Sequence, residues 1–425
     1  MRLSLIKNAL KHGALDKYSD IYADTEAASD RYLKAVDRFA ELFGDGEGEL
    51  FSVPGRSEIS GNHTDHNNGS VLAGAIDRDI IAVARKNGDG VIRFFSEGYP
   101  MDTVELSRVA SPDNFKNYTS ASLIAGIADG FMKKGYTVGG CDVYATSDVL
   151  KGSGISSSAA YEVMIGNVLN HLYCGGEIDN KEIARLAQYA ENVFFGKPCG
   201  LMDQMACAVG GFVYIDFGNP ELPVVEPIGF SLADRGYALA IINTGGNHAD
   251  LNDDYASVPR EMRAVAVELG RTVLGDVSED EIVKAIPTLR EKVGDRAILR
   301  ALHFIRENAR VKQAKDALVR GDIDAFLGAV NSSGSSSFKY LQNVYTTVNV
   351  GEQGLSLALA LIDGYLSDKK GAHRVHGGGF AGTVQVFVKK EELTGLVELM
   401  DSVFGVGSAM PLNIRPRGAI KIDLD

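Results

Sequence analysis

The sequence predicts an α+β protein, and three observations carry that expectation. Strand-like alternation and helical periodicity are interleaved along the chain without the regular βαβ spacing of a doubly wound sheet. The GxGxxG run, GGGFAG at 377–382, leads into the strand-like TVQVFV and not into a helix, so it lacks the context of a dinucleotide fold. A Gly/Ser loop, DVLKGSGISSSAA at 148–160, lies where an alternating run (141–146) hands over to a helical one (161–172).

Taken in order, residues 1–50 hold two helical patterns, the clearer at Thr25–Phe43 before Gly44-Asp45-Gly46. A short strand (50–53) precedes PGRSEISGNHTDHNNG (54–69), which is polar and reads as turn. Strand-like runs follow at 70–76, 80–85 and 91–96, separated by Gly, Asp and Asn. Residues 122–133 read as a helix, then come the 141–146 strand, the loop and its helix. Another amphipathic helix covers 181–194, and strands are expected at 211–217 and 236–243. From 259 to 366 the pattern is mostly helical, broken at 332–337. The end alternates between a strand into Gly377–Gly379, a strand at Thr383–Lys389, a helix at 391–404 and a strand at 419–424. A weak change of character near Asp234-Arg235 divides the chain into 1–235 and 236–425.

Composition narrows the function. With 425 residues the chain can build two or three domains, and a net charge of −13 argues against a nucleic-acid or anionic-membrane partner. Any phosphate must meet a local site. The four cysteines are scattered and form no CxxC, which points to a reducing compartment. No signal peptide and no run of transmembrane length is legible, so the cytoplasm is the expected location.

The 148–160 loop reads as phosphate-binding. Gly152 and Gly154 allow the backbone to turn and approach a ligand, and Ser156, Ser157 and Ser158 bring hydroxyls and free N–H groups to a helix start. A plain Ser cap after a Gly turn is the simpler alternative. No GxxxxGK[ST] occurs, which excludes a P-loop. In 54–69, Arg56, Glu58, His63, Asp65 and His66 with three Asn crowd a segment that could hydrogen-bond a polyol. A zinc site on HTDH lacks the further ligands it would need. Glu191 and Asp203 suit one carboxylate on Mg²⁺ and one at a reacting hydroxyl, against a helix cap near Gly200. HGGGFAG (376–382) has no GxSxG partner for hydrolase chemistry and offers close backbone approach instead.

Together these stretches resemble the GHMP superfamily of small-molecule kinases and, within it, the galactokinase family. That family's PGRxNLIGEHTDYxxG is met by PGRSEISGNHTDHNNG, and its PxGxGLSSSA by LKGSGISSSA at 150–159. Its AExxxxGxxxGxMDQ is met by AENVFFGKPCGLMDQ at 190–204, and its GGGFGG-type loop by 377–382. The resemblance spans roughly residue 50 to the end and implies a ribosomal-S5-like N-terminal domain with a ferredoxin-like C-terminal domain. It implies a sugar 1-kinase using ATP and Mg²⁺. Asp203 and Arg56 would be catalytic, and Asn62, His63, Asp65 and Tyr255 would bind the sugar. Gly152, Ser153, Gly154, Ile155, Ser156, Ser157 and Ser158, with Ser96, would bind the nucleotide, and Ser158 and Glu191 the metal.

Among the departures from the pattern, Asn62 stands for the family Glu, His66 for Tyr and Leu150 for Pro. The first leaves N-acetylgalactosamine, arabinose or a uronic acid open as substrates beside galactose. A non-catalytic sugar- and ATP-binding regulator is the remaining alternative. A small-molecule sugar is the expected partner. The oligomeric state is not legible, with a monomer plausible.

Overall fold

Two antiparallel-rich sheets organise the protein, and the first is built around its longest strand. The computed structural model describes residues 1–149, 154–246 and 251–424, Asn252 by its backbone alone. In chain order the strands are β1 (Glu49–Ser60), β2 (Ser70–Lys86), β3 (Val91–Ser96), β4 (Asp102–Glu105), β5 (Cys141–Ser147) and β6 (Phe212–Asp216). They continue as β7 (Val224–Ile228), β8 (Tyr237–Asn243), β9 (Gly371–His376), β10 (Thr383–Lys389), β11 (Ala409–Leu412) and β12 (Ile420–Ile422). The 17-residue β2 pairs antiparallel with β1, β5 and β6, and β3 joins β5 in parallel. The second sheet has the order β11-β8-β10-β9 and is antiparallel throughout.

Helices cover these sheets. The N-terminal half carries α1 (Leu3–Lys11), α2 (Thr25–Phe43), α3 (Ser120–Lys133), α4 (Ser157–Cys174), α5 (Asn180–Tyr189) and α6 (Met202–Val209). The C-terminal half carries α7 (Asn252–Glu268), α8 (Glu279–Lys292), α9 (Asp295–Arg320), α10 (Ile323–Ser336), α11 (Gly354–Tyr365) and α12 (Leu393–Phe404). α4 is apolar on nearly all sides, as a helix enclosed by sheet and neighbouring helices must be. α2 starts where the Asp24 carboxylate accepts from the Ala27 N–H at 2.9 Å, and it stops at Gly44 (φ +83°). The chain end returns to the first sheet, with Leu50 opposite Ile422 and an Ile76–Ile414 bridge. Among the described residues no helix is long and apolar enough to cross a membrane.

The structure departs from the expected elements where polar residues turn inward. β1 does not stop at residue 53 but runs through PGRSEIS to Ser60, because Arg56, Ser57, Glu58 and Ser60 are all buried against partners. The runs 70–76 and 80–85 are one strand, since Asp79 between them is an internal partner and not a turn residue. The helix expected over 181–194 changes to a π-helical turn at Ala190–Phe195. Serines at 332–337 do not break the helix: α10 continues to Ser336 and ends in a π turn, with Ser333, Ser336 and Ser337 facing inward.

Asp79 anchors the helical N-terminus to this sheet. Arg31 from α2 donates to Asp79 Oδ1 at 2.6 Å and to its carbonyl at 2.9 Å. Arg415 Nη1 and the Tyr22 hydroxyl reach Oδ2 at 3.1 and 3.0 Å, and Ser52 donates to the same oxygen. Arg31 also pairs with Asp148 at 2.9 Å, just before the Gly/Ser loop. Burial pushes the Asp79 carboxyl up, but the two guanidiniums and the hydrogen bonds outweigh it and hold the group below its ordinary range. Its contribution to stability is therefore present above the unfolded pKa of about 3.9 and is lost as pH falls through the lower folded value. Replacing Arg31 by Met should cost roughly 2 kcal/mol at neutral pH, less than the ~3–5 kcal/mol of a fully orphaned buried charge because Arg415 remains. Urea unfolding measures this, and the difference should shrink below about pH 4; an unchanged midpoint at pH 7 would contradict the role given to Arg31.

Candidate active site

β1 presents Arg56 and Glu58 on one face, two residues apart in an extended strand. The Arg56 guanidinium meets Asp203 in a fork, Nε to Oδ1 at 2.8 Å and Nη2 to Oδ2 at 2.9 Å. Its third nitrogen, Nη1, donates to the Gly154 carbonyl at 2.7 Å, and the Arg56 backbone N–H donates to Ile155 at 3.1 Å. This approach requires Gly55, where a Cβ would lie 2.7 Å from the Ile155 carbonyl oxygen. Asp203 sits in the first turn of α6 and its side chain is 34% exposed. Burial pushes its carboxyl up, while Arg56, by charge and hydrogen bonds, and Ser156 hold it below the ordinary range.

Ser156 was expected to face phosphate. Its hydroxyl instead donates to Asp203 Oδ2 at 2.5 Å, and its backbone takes a left-handed conformation (φ +60°). Ser157 and Ser158 open α4, and Ser158 is exposed. Gly154 is exposed and Ile155 is buried behind the loop. Gly152 and Ser153 lie outside the described residues. Ser96 ends β3 beside Ala145, away from the cavity described below.

Glu191, in the π turn, accepts from Gln204 Nε2 at 2.9 Å and from Lys197 Nζ at 3.2 Å. Gln204 Nε2 also donates at 3.0 Å to Glu162, a fully buried residue of α4. Burial and then the nearby Glu191 charge push the Glu162 carboxyl well up. Among the described residues no three His, Cys, Asp or Glu side chains form a metal cage. Ser158 and Glu191 nevertheless line one cavity and are hard oxygen donors, which fits Mg²⁺ held jointly with phosphate. Lys197, 59% exposed, is the partner that a cation at Glu191 Oε1 would replace.

The 61–67 segment forms the opposite wall. His63 (φ +60°) is buried and donates from Nε2 to the Gly378 carbonyl at 2.9 Å. Burial above all, helped by His66, lowers its pKa to about 3, so the ring is neutral. The Tyr255 ring lies 5.2 Å from it, over Gly378, where a Cβ would fall 2.2 Å from Tyr255 Cε2. Asp65 Oδ1 accepts from the His66 N–H at 3.0 Å. Asn62 differs from the expected sugar contact: it is 1% exposed and its amide is engaged internally. Nδ2 donates to Glu58 Oε1 at 2.9 Å and to the Gly377 carbonyl at 2.7 Å, while Oδ1 accepts from Asn343 Nδ2 at 2.7 Å.

Several functional neighbours escaped sequence reasoning. Arg374, fully buried on β9, donates to Glu58 Oε1 at 3.1 Å. His376 accepts at Nε2 from the Glu58 N–H (3.3 Å), which places its proton on Nδ1, toward Thr383 Oγ1 at 3.0 Å. Glu307 of α9 accepts from Ser60 Oγ, the Gly61 N–H, Ser333 and Arg310. Burial would raise its carboxyl, but His303, Arg310 and Arg374 outweigh that and lower it to about 2. His303 donates from Nε2 to the Asn62 carbonyl at 3.0 Å. The available signal was strand alternation, which puts Glu58 beside Arg56; the partners on α9, α10 and β9 are remote in sequence.

A cavity of about 240 Å³ gathers Arg56, Glu58, Asn62, His63, Asp65, Ser158, Glu191, Asp203 and Tyr255. A larger groove of about 620 Å³ between α10, α11 and β9 contains none of them.

Known proteins resemble this chain over most of its length. Residues 122–211 match the GHMP kinases N terminal domain, and residues 37–86 the galactokinase galactose-binding signature. The chain is 32% identical over 376 residues to a galactokinase of Streptomyces coelicolor, covering 87% of this chain and 92% of that one. It is 31% identical over 374 residues to a galactokinase of Glaesserella parasuis, covering 85% and 91%. The crystal structure of Lactococcus lactis galactokinase complexed with galactose superposes with a TM-score of 0.74 at 25% identity, over 90% of this chain and 98% of that one. A Methanococcus jannaschii mevalonate kinase shares the fold, with a TM-score of 0.58 at 13% identity over 87% and 99%. This chain belongs to the galactokinase family of the GHMP kinases.

Proposed function

We propose that this chain transfers the γ-phosphoryl group of ATP to the anomeric hydroxyl of galactose, with the halves 1–235 and 236–425 as the lobes of one cleft. The observation that carries this reading is the Arg56–Asp203 fork opening into a 240 Å³ cavity walled by His63, Asp65 and Tyr255. That volume lies below the ~300–1,000 Å³ of drug-sized sites and suits a single sugar ring. The compartment we assign is the cytoplasm, in keeping with four free cysteines.

Asp203 acts as the acceptor for the attacking hydroxyl. Its lowered pKa keeps it ionised and makes it a weak base, which suffices because phosphoryl transfer through a loose transition state relies on positioning and charge stabilisation. Arg56 fixes the carboxylate by two hydrogen bonds and puts positive charge beside the transferring group. Neutral His63 and Asp65 hold ring hydroxyls, and Tyr255 covers an apolar face. Ser158 and Glu191 would hold Mg²⁺, which would neutralise phosphate charge. The N–H groups at the start of α4 receive phosphate oxygens.

Three measurements test this. In a panel of free sugars with ATP and Mg²⁺, galactose should give the highest kcat/KM by ADP release; a tenfold preference for galacturonate, arabinose or N-acetylgalactosamine would overturn the substrate. Asp203→Asn should lower kcat by ~10²–10³ or more with little change in Tm, and near-native turnover would remove Asp203 from the chemistry. Glu191→Ala should raise the Mg²⁺ needed for half-maximal rate by about tenfold while calorimetric galactose affinity stays within about twofold. The reverse pattern would move Glu191 to the sugar side.

A further inference from the structure

The galactokinase motif PGRxNLIGEHTD has Asn two residues after its Arg and Glu six after it, whereas this chain has Glu58 and Asn62 at those places. The two departures are one event in space. Asn62 Nδ2 donates to Glu58 Oε1 at 2.9 Å, so the amide and the carboxylate of the motif have exchanged positions within one hydrogen-bonded pair. Building on the sugar-kinase reading, we propose that Glu58 is the residue of this pair that accepts from a sugar hydroxyl, and that Asn62 is the brace that holds it. Glu58 thereby becomes a specificity-determining residue of this chain.

Four observations support the exchange. Glu58 lines the cavity from the same strand face as Arg56. It is buried and its Oε1 accepts from the fully buried Arg374 at 3.1 Å, which orients the carboxyl; burial pushes its pKa up, and the charges of Arg374 and Arg56 oppose that. Asn62, by contrast, has both of its N–H bonds directed at acceptors, Glu58 Oε1 and the Gly377 carbonyl. Its Oδ1 receives Asn343 Nδ2 at 2.7 Å. With Glu58 opposite it, position 62 therefore requires a side chain that donates and accepts, which an amide does and an ionised carboxylate does not.

Two consequences follow from the chemistry. Asn62→Glu on its own aims carboxylate oxygens at Glu58 and at the Gly377 carbonyl, so it harms the site instead of restoring the family arrangement. A carboxylate also remains in the cavity, at 58 instead of 62, so a uronic acid meets repulsion here as it would with the family order.

The test is a four-protein cycle of wild type, Glu58→Asn, Asn62→Glu and the double variant, read by Tm and by galactose kcat/KM. Each single variant should lose about tenfold or more in kcat/KM, and the double variant should return to within about threefold of wild type. Losses that multiply in the double variant would overturn the exchange. A structural brace alone is separated by Glu58→Gln, which keeps an acceptor toward Asn62 and removes the charge. It should raise galactose KM about tenfold with kcat within twofold, and narrow the preference for galactose over galacturonate by a similar factor. Unchanged KM and unchanged preference would overturn the sugar contact. Calorimetric galactose titration without ATP keeps the two readings apart. A wild type that binds galactose but forms no ADP defeats the kinase reading alone, whereas equal galactose affinity in wild type and Glu58→Gln defeats this inference alone.

Discussion

One guanidinium decides the geometry of this protein. Arg56 spends its three nitrogens on three donations, two to Asp203 and one to Gly154, while its backbone N–H holds Ile155. Strand β1, the end of the Gly/Ser loop and the first turn of α6 are thereby fixed against each other. A bidentate fork tolerates little rotation, so the carboxylate is held in one orientation before any ligand arrives. The arrangement also sets the chemistry: charge on Arg56 keeps Asp203 ionised despite its burial. Positioning of this kind is the main contribution a protein makes to phosphoryl transfer.

The wall opposite depends on a polar seam between the two halves. Ser60, Gly61, Asn62 and Glu58 from β1 and its following turn meet Glu307 and His303 of α9 and Arg374 and His376 of β9. Burying so many polar groups is tolerable when most satisfy one another, and here Arg374 Nε and Nη1 are left without hydrogen-bond partners among the described residues. The histidines take part as neutral rings: burial above all lowers His303 to about 4 and holds His376 well below its ordinary value. Gly378 and Gly379 then matter for space, since a Cβ at Gly379 would lie 2.1 Å from the Asn343 carbonyl oxygen. The seam thus fixes the Gly loop, and the Gly loop fixes His63 and Tyr255.

Much of this was legible in the sequence. Interleaved periodicity gave the α+β class, and strand-to-helix handover located the loop that precedes α4. Four ordered motifs then pointed to residues that the cavity brings together, from Arg56 to Gly378. What could not be read was the direction in which polar residues face. The stretch 54–60 looks like solvated turn because it is polar, yet its groups find partners more than 200 residues away, such as Ser60 with Glu307. Asp79 splits an apolar run on paper but is a buried node in space. Ser156 looked like a phosphate ligand because it stands in a serine row, whereas the left-handed backbone turns its hydroxyl to Asp203. Asn62 looked like a weakened sugar contact because a single position was weighed without its partner Glu58. Pairwise satisfaction of buried groups is a property of the fold, and local pattern carries no signal of it.

In the proposed function, the Arg56–Asp203 fork acts on the anomeric hydroxyl of galactose. Phosphorus NMR of the product formed from galactose, ATP and Mg²⁺ tests it most directly. A phosphate ester whose phosphorus couples to the anomeric proton should appear together with ADP. Coupling to the C6 methylene protons, or release of free phosphate without an ester, would contradict it.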